Sequence, residues 1–207
     1  VWHVALPEPP APPEGEDVAD GPWNPEGNEV PTEEVWTLQQ DLKCAEGINK
    51  LMVHNGSLFA ACLDKRIRIF DMTTWECTHA LEGHGGAVLA LCALPDDRFL
   101  SAGADGTIRC WSIVDRKMPG ILHQWVCDLV LDNGVSVHSL VTCGVNQIVA
   151  GGADGTMNLW FWNVHEADPK WVLKRSFTDN KGAVSVIAVQ GDALYTAGAD
   201  KTIRMYR

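Results

Sequence analysis

The chain has 207 residues and a net charge of −11, with 27 acidic against 16 basic side chains. That balance, with its few arginines scattered rather than striped, argues against nucleic acid as the main ligand. No apolar run approaches the length that spans a bilayer, so no membrane partner is expected.

Taken in chain order, residues 1–6 open with VWHV, which reads as the end of a strand with Trp2 as its terminal aromatic. Residues 7–34 follow, holding eight of the eleven prolines and nine acidic side chains with no Lys or Arg. Such a stretch buries too little apolar area to order itself and reads as an extended acidic insertion, with Trp23 as its one large aromatic. Removing it leaves a body near −2. VWTLQQDLKC (35–44) then reads as a strand, and 35–207 as the folded body.

Within that body one phrase recurs four times: DKRIRIF (64–70), DGTIRCW (105–111), DGTMNLW (154–160) and DKTIRMY (200–206). Asp64, Asp105, Asp154 and Asp200 stand 41, 49 and 46 positions apart. Two alternating apolar runs joined by a turn precede each Asp, as in INKLMV and SLFAAC around His54-Asn55-Gly56. Asn-Gly between such runs is a strong hairpin signal, because a type I′ turn needs positive φ at both central residues. The later turns fall at Pro95-Asp96-Asp97, Val145-Asn146 and Gln190-Gly191-Asp192. A third run ends in Phe70, Trp111, Trp160 or Tyr206, and a fourth follows three of the units at 76–83, 123–130 and 171–178. No stretch holds a 3.6-residue apolar period, so no helix is expected. A period in the forties built from four short strands is the mark of radially arranged blades. The expected fold is therefore all-β, a propeller of four-stranded antiparallel blades.

These repeats resemble the WD-repeat family of β-propellers over residues 35–207, with the fullest match in the second unit at Gly83-His84, Ser101, Asp105 and Trp111. The resemblance implies that His84, Ser101, Asp105 and Trp111 form a buried hydrogen-bonded chain within their blade. A buried carboxylate needs such partners. The third unit keeps Asp154 and Trp160 but has Asn133 near the His slot and Ala150 at the hydroxyl slot. The fourth keeps Thr196 and Asp200, has Tyr206 for Trp, and lacks a His. The first has Cys44, Ala60 and Phe70, so Asp64 is expected to rely on turn backbone or solvent, and Asp105 to matter more for stability than Asp64. Family propellers usually have seven or more blades, so about four blades read as a piece of a larger ring. The competing arrangement has the strand at 35–44 closing against the last unit as a four-bladed ring. An incomplete ring exposes sheet faces and is expected to self-associate.

Ser101, His84 and Asp105 are also the residue types of a hydrolase triad, but a serine buried inside a blade has no access to substrate. Cys77, His79 and His84 lie close in sequence without a visible fourth metal ligand. No catalytic residue, metal or cofactor is therefore assigned. Seven cysteines, odd in number, with no CxxC and mostly alternating with apolar residues, suit a reducing compartment, cytoplasm or nucleus.

The resemblance further implies a non-catalytic scaffold that binds a protein or peptide on the narrow face of the propeller. The positions flanking the first apolar residue of each innermost strand are Gly47 and Asn49, Ala87 and Leu89, Ser136 and His138, and Ala183 and Ser185. Those preceding each turn Asp are Leu63, Ala104, Ala153 and Ala199. Asn49, Leu63, Leu89, Ser136, His138 and Ser185 are the candidate contacts, and their neutral character suits an uncharged peptide. Two alternatives stand beside this reading. A ubiquitin-ligase substrate receptor of this family often carries Trp-Asp-x-Arg after the third strand, where this chain has Trp111-Ser112-Ile113-Val114 and Trp160-Phe161-Trp162-Asn163. An RNA-associated protein of this family would carry its zinc fingers outside this sequence.

Overall fold

A computed structural model describes residues 37–95, 97–114, 124–163 and 170–207. The expected strand remnant at 1–6, the acidic stretch at 7–34 and Asp96 lie outside those residues. The chain divides into Val1–Asp41 and Leu42–Arg207, and every strand among the described residues belongs to the second unit.

Fifteen strands form four antiparallel sheets, with no helix among the described residues. Blade 1 is β1 (Ile48–His54), β2 (Ser57–Cys62), β3 (Ile67–Asp71) and β4 (Cys77–Leu81). Blade 2 is β5 (Val88–Ala93), β6 (Phe99–Gly103), β7 (Thr107–Val114) and β8 (Gln124–Asp132). Blade 3 is β9 (Val137–Thr142), β10 (Gln147–Gly152), β11 (Met157–Asn163) and β12 (Lys170–Phe177). Blade 4 has three strands, β13 (Val184–Gln190), β14 (Ala193–Gly198) and β15 (Ile203–Tyr206).

Each sheet is a plain meander, so pairing follows chain order, and the turns explain why. Asn55 and Gly56 both take positive φ, 47° and 71°, which makes the two-residue loop that pairs His54 with Ser57. After each turn Asp comes a left-handed residue: Lys65, Gly106, Gly155 or Lys201. The part of the expected strand at 35–44 that lies among the described residues is not formed. Residues 37–44 have no strand structure, and the first strand begins at Ile48. Leu42 and Cys44 instead pack their side chains against Ala60, Cys62 and Phe70, which uses their apolar surface without a backbone ladder.

Sheets with one apolar face must stack, and the core lies between them. Phe59, Ile67 and Ile69 of blade 1 meet Val88, Leu91, Phe99 and Trp111 of blade 2. Phe59 and Phe99 have ring centroids 4.8 Å apart, and Phe99 stacks on Trp111 at 6.2 Å. Between blades 2 and 3, Leu100, Ile108 and Leu131 pack on Val137, Ile148 and Trp160. The innermost strands run side by side, β1 against β5, β5 against β9 and β9 against β13. The two end blades each keep an apolar face in solvent: Leu51 and Val53 are 54% and 62% exposed on blade 1, Ile203 and Met205 80% and 54% on blade 4.

Candidate interaction face and the blade networks that support it

Blade 2 contains the complete side-chain chain. Asp105 Oδ2 is 2.9 Å from His84 Nδ1, His84 Nε2 is 2.7 Å from Ser101 Oγ, and Trp111 Nε1 donates to Ser101 Oγ at 2.8 Å. Burial lowers the pKa of His84 against the pull of Asp105, so the ring is neutral near pH 7. A neutral ring with Nδ1–H donating to Asp105 accepts the Ser101 proton at Nε2, and every polar atom in the chain is used. Burial alone would raise the pKa of Asp105, but the N–H groups of Thr107 and Gly85, with His84, bring it down to about 2. Ser101 is fully buried, which removes it as a nucleophile open to substrate.

The other blades solve the same problem with different residues. In blade 3, Asn133 Oδ1 accepts from Asn158 Nδ2 at 3.0 Å and from Trp160 Nε1 at 3.4 Å. Trp160 thus reaches the His slot directly across the space Ala150 leaves free. In blade 4 the His slot holds Asn180, whose Oδ1 accepts from Thr196 Oγ1 at 3.3 Å and Arg204 Nη1 at 3.0 Å. The lack of a His there therefore does not leave the slot empty. In blade 1 Asp64 does not depend on backbone or solvent alone. Arg68 Nη2 donates to it at 2.6 Å, the main cause that holds the Asp64 carboxyl below its ordinary range.

These networks anchor one end of every blade, where a second pattern repeats. The ladder of each innermost strand skips one residue: Asn49 between Ile48 and Lys50, Leu89 between Val88 and Ala90, His138 between Val137 and Ser139, Ser185 between Val184 and Val186. A bulge leaves its extra residue unpaired and re-aims the side chain. Beside it, the residue before each turn Asp donates its N–H to the residue before the innermost strand. The four bonds are Leu63 to Gly47 at 2.9 Å, Ala104 to Ala87 at 2.8 Å, Ala153 to Ser136 at 2.9 Å and Ala199 to Ala183 at 3.0 Å. The positions chosen from the sequence are thus paired within each blade. Asn49, Leu63, His138 and Ser185 are exposed, and Leu89 and Ser136 half-buried. Asn49 is also committed to the fold, because its Nδ2 donates to Val88 O of the next blade at 2.8 Å.

One feature was not singled out from the sequence. A cavity of about 720 Å³ opens along blades 3 and 4, lined by Leu159, Phe177, Leu194 and Tyr206 and edged by Arg175. Its lining comes from six strands, β10 to β15, so no local pattern marks it.

Four stacked meanders, each bent at its inner strand by one bulge and locked by one Asp turn, define a β-propeller. A family described as WD domain, G-beta repeat matches residues 75–112, from the outer strand of blade 1 through the complete network of blade 2. That match and WD-repeat relatives of this chain support a propeller of the WD-repeat family. It is 33% identical over 132 residues to the CCR4-associated factor 4 homolog of Candida glabrata, covering 59% of this chain and 22% of that protein. It is 25% identical over 157 residues to the small ribosomal subunit protein RACK1y of Oryza sativa subsp. japonica, covering 70% of this chain and 41% of that protein. The chain therefore spans less than half the length of these relatives. The computationally designed Ika4 protein superimposes with a TM-score of 0.59 at 20% identity, over 82% of this chain and 98% of that one, a likeness of fold.

Proposed function

We propose that this chain is a non-catalytic scaffold that binds a protein or peptide through the bulged ends of its innermost strands. The observation that carries this reading is the fourfold recurrence of one bulge residue, exposed in all but Leu89, beside one backbone-paired residue: Asn49 with Leu63, Leu89 with Ala104, His138 with Ala153, Ser185 with Ala199. A rigid sheet presenting short variable side chains supplies specificity without chemistry. None of the eight is Asp, Glu, Lys or Arg, which favours an uncharged peptide over a phosphate or an acidic tail. Seven cysteines, odd in number and mostly set among apolar residues, support a reducing compartment as the site of action.

The test is selection of a peptide-display library on the immobilised chain, followed by binding of the selected peptides to two variants. Leu89→Arg with His138→Glu is expected to abolish binding, while Lys174→Glu on the outer strand β12 is expected to leave it intact. Binding that survives the first variant and is lost in the second would move the site to the blade rims.

A further inference from the structure

Blade 1 differs from blade 2 at two positions that meet in space. In blade 2 the His slot holds His84, and the residue that pairs with Val88 is Gly103. A Cβ built on Gly103 would stand 3.1 Å from His84 Nδ1 and 3.2 Å from Asp105 Oδ1, so a glycine there leaves room for the imidazole. In blade 1 the corresponding pair is Ile48 with Cys62, and the His slot holds Cys44. The smaller thiol in the slot and the larger side chain on the strand compensate each other. Cys62 is fully buried and Cys44 half-buried, and both pack with Ala60 and Phe70. Cys44 thus packs on the small cluster of Ala60, Cys62 and Phe70, which brings the two thiols to one site.

We infer that Cys44 and Cys62 form an oxidation site, at which hydrogen peroxide joins them as an intrachain disulfide that fastens the segment entering β1 to strand β2. Cys44 is the more exposed of the two residues. Its thiolate attacks the peroxide oxygen, the O–O bond breaks, and the leaving hydroxide takes a proton to become water. The Cys62 sulfur then displaces the hydroxyl of the Cys44 sulfenic acid as a second water. One S–S bond forms, the two sulfurs lose two electrons to the peroxide, and the two thiol protons end in water. Burial and the neighbouring Cys62 thiol raise the Cys44 pKa, so little thiolate exists near pH 7 and the reaction accelerates as pH rises. The bridge would tie down the loop that carries Gly47, whose carbonyl accepts from Leu63 N–H at 2.9 Å.

The experiment uses the full 207-residue chain, treated with hydrogen peroxide, alkylated and digested with trypsin. Cleavage after Lys43, Lys50 and Lys65 isolates Cys44 and Cys62 on separate peptides, 44–50 and 51–65. The expected product is these two peptides joined, two hydrogens lighter than their sum and separated again by dithiothreitol. Its yield should grow between pH 7 and pH 9, by about tenfold per unit while the thiolate is the minor form. The oxidised chain should melt higher than the reduced one, and Cys44→Ser should abolish that difference while Cys77→Ser keeps it. The inference is overturned if Cys44 goes on to sulfinic acid, links to Cys77, or is alkylated intact while other thiols oxidise. The wild-type peptide readout decides the matter even if a serine variant fails to fold.

Discussion

Arg68 Nη2 stands 2.6 Å from Asp64 Oδ2, four residues upstream, and does for blade 1 what His84 does for blade 2. Blade 4 repeats the arrangement with Arg204 and Asp200, also at 2.6 Å. The fourth residue after each Asp is Arg68, Arg109, Asn158 or Arg204, and an arginine there turns back onto the Asp in the two blades whose His slot holds a small residue, Cys44 or Asn180. Where His84 fills the slot, Arg109 is displaced and its Nη1 approaches the Cys127 sulfur at 3.9 Å.

The first prediction concerns this pair. The side chains of Arg68 and Asp64 are 11% and 17% exposed, so removing the carboxylate strands a largely buried guanidinium. Asp64→Ala should destabilise the chain by about 3 kcal/mol, the cost of breaking a buried pair. That makes Asp64 at least as important as Asp105, against the ranking the sequence suggests. Urea unfolding of the two alanine variants checks it; a loss under about 1 kcal/mol for Asp64→Ala would mark the pair as a solvated one.

Ser101 joins two buried donors and acceptors, so Ser101→Ala should cost about 1–3 kcal/mol. Blade 3 shows how a blade manages without that hydroxyl, with Asn133 accepting directly from Trp160. Adding His84→Asn to Ser101→Ala copies that arrangement. The double variant should be more stable than the sum of the two single losses predicts, as read from a double-mutant cycle in urea. Simple additivity would show that the exchange cannot be transplanted.

The network also sets a pH dependence. The folded pKa of Asp105, about 2, lies below its ordinary 3.8, so the unfolded chain binds the proton first as pH falls. Its contribution is complete above about pH 4 and is lost as pH drops through about 2. The folded pKa of His84 is also lowered, chiefly by burial, so the unfolded chain gains that proton first below the ordinary 6.5. Stability should therefore start to decline below pH 6.5 and decline again below pH 4. In His84→Asn the upper stage should shrink, measured as the urea midpoint from pH 8 to pH 3.

The end faces give a fourth prediction. Leu51, Val53, Ile203 and Met205 expose apolar surface on blades 1 and 4, and β15 has one unpaired edge. The isolated 207-residue chain should sediment as a concentration-dependent oligomer. Leu51→Ser with Ile203→Ser should shift it toward monomer; a monomer at every concentration in the wild type would show these faces are tolerated in water.

Alternation, turn chemistry and the fourfold Asp phrase were enough to place the three inner strands of every unit, because each signal acts within a few residues. Of the strand expected at 35–44, the described residues 37–44 form none: Leu42 and Cys44 are half-buried and pack their side chains on Ala60, Cys62 and Phe70, a long-range contact that local alternation does not reveal. Asn180 was passed over although it stands four residues before Val184, as Asn133 stands before Val137; the convergence of Thr196 and Arg204 on its Oδ1 shows what it does there.

The amino-acid sequence by itself determined the all-β repeat, its hairpins, the blade 2 network and the positions of the bulged end, since all of these follow from period, turn residues and register. The tertiary structure alone decided how Asp64 is held, that Cys44 meets Cys62, and which apolar faces remain bare. Those outcomes depend on which side chains from separate strands share one small volume, and sequence distance carries no measure of that space.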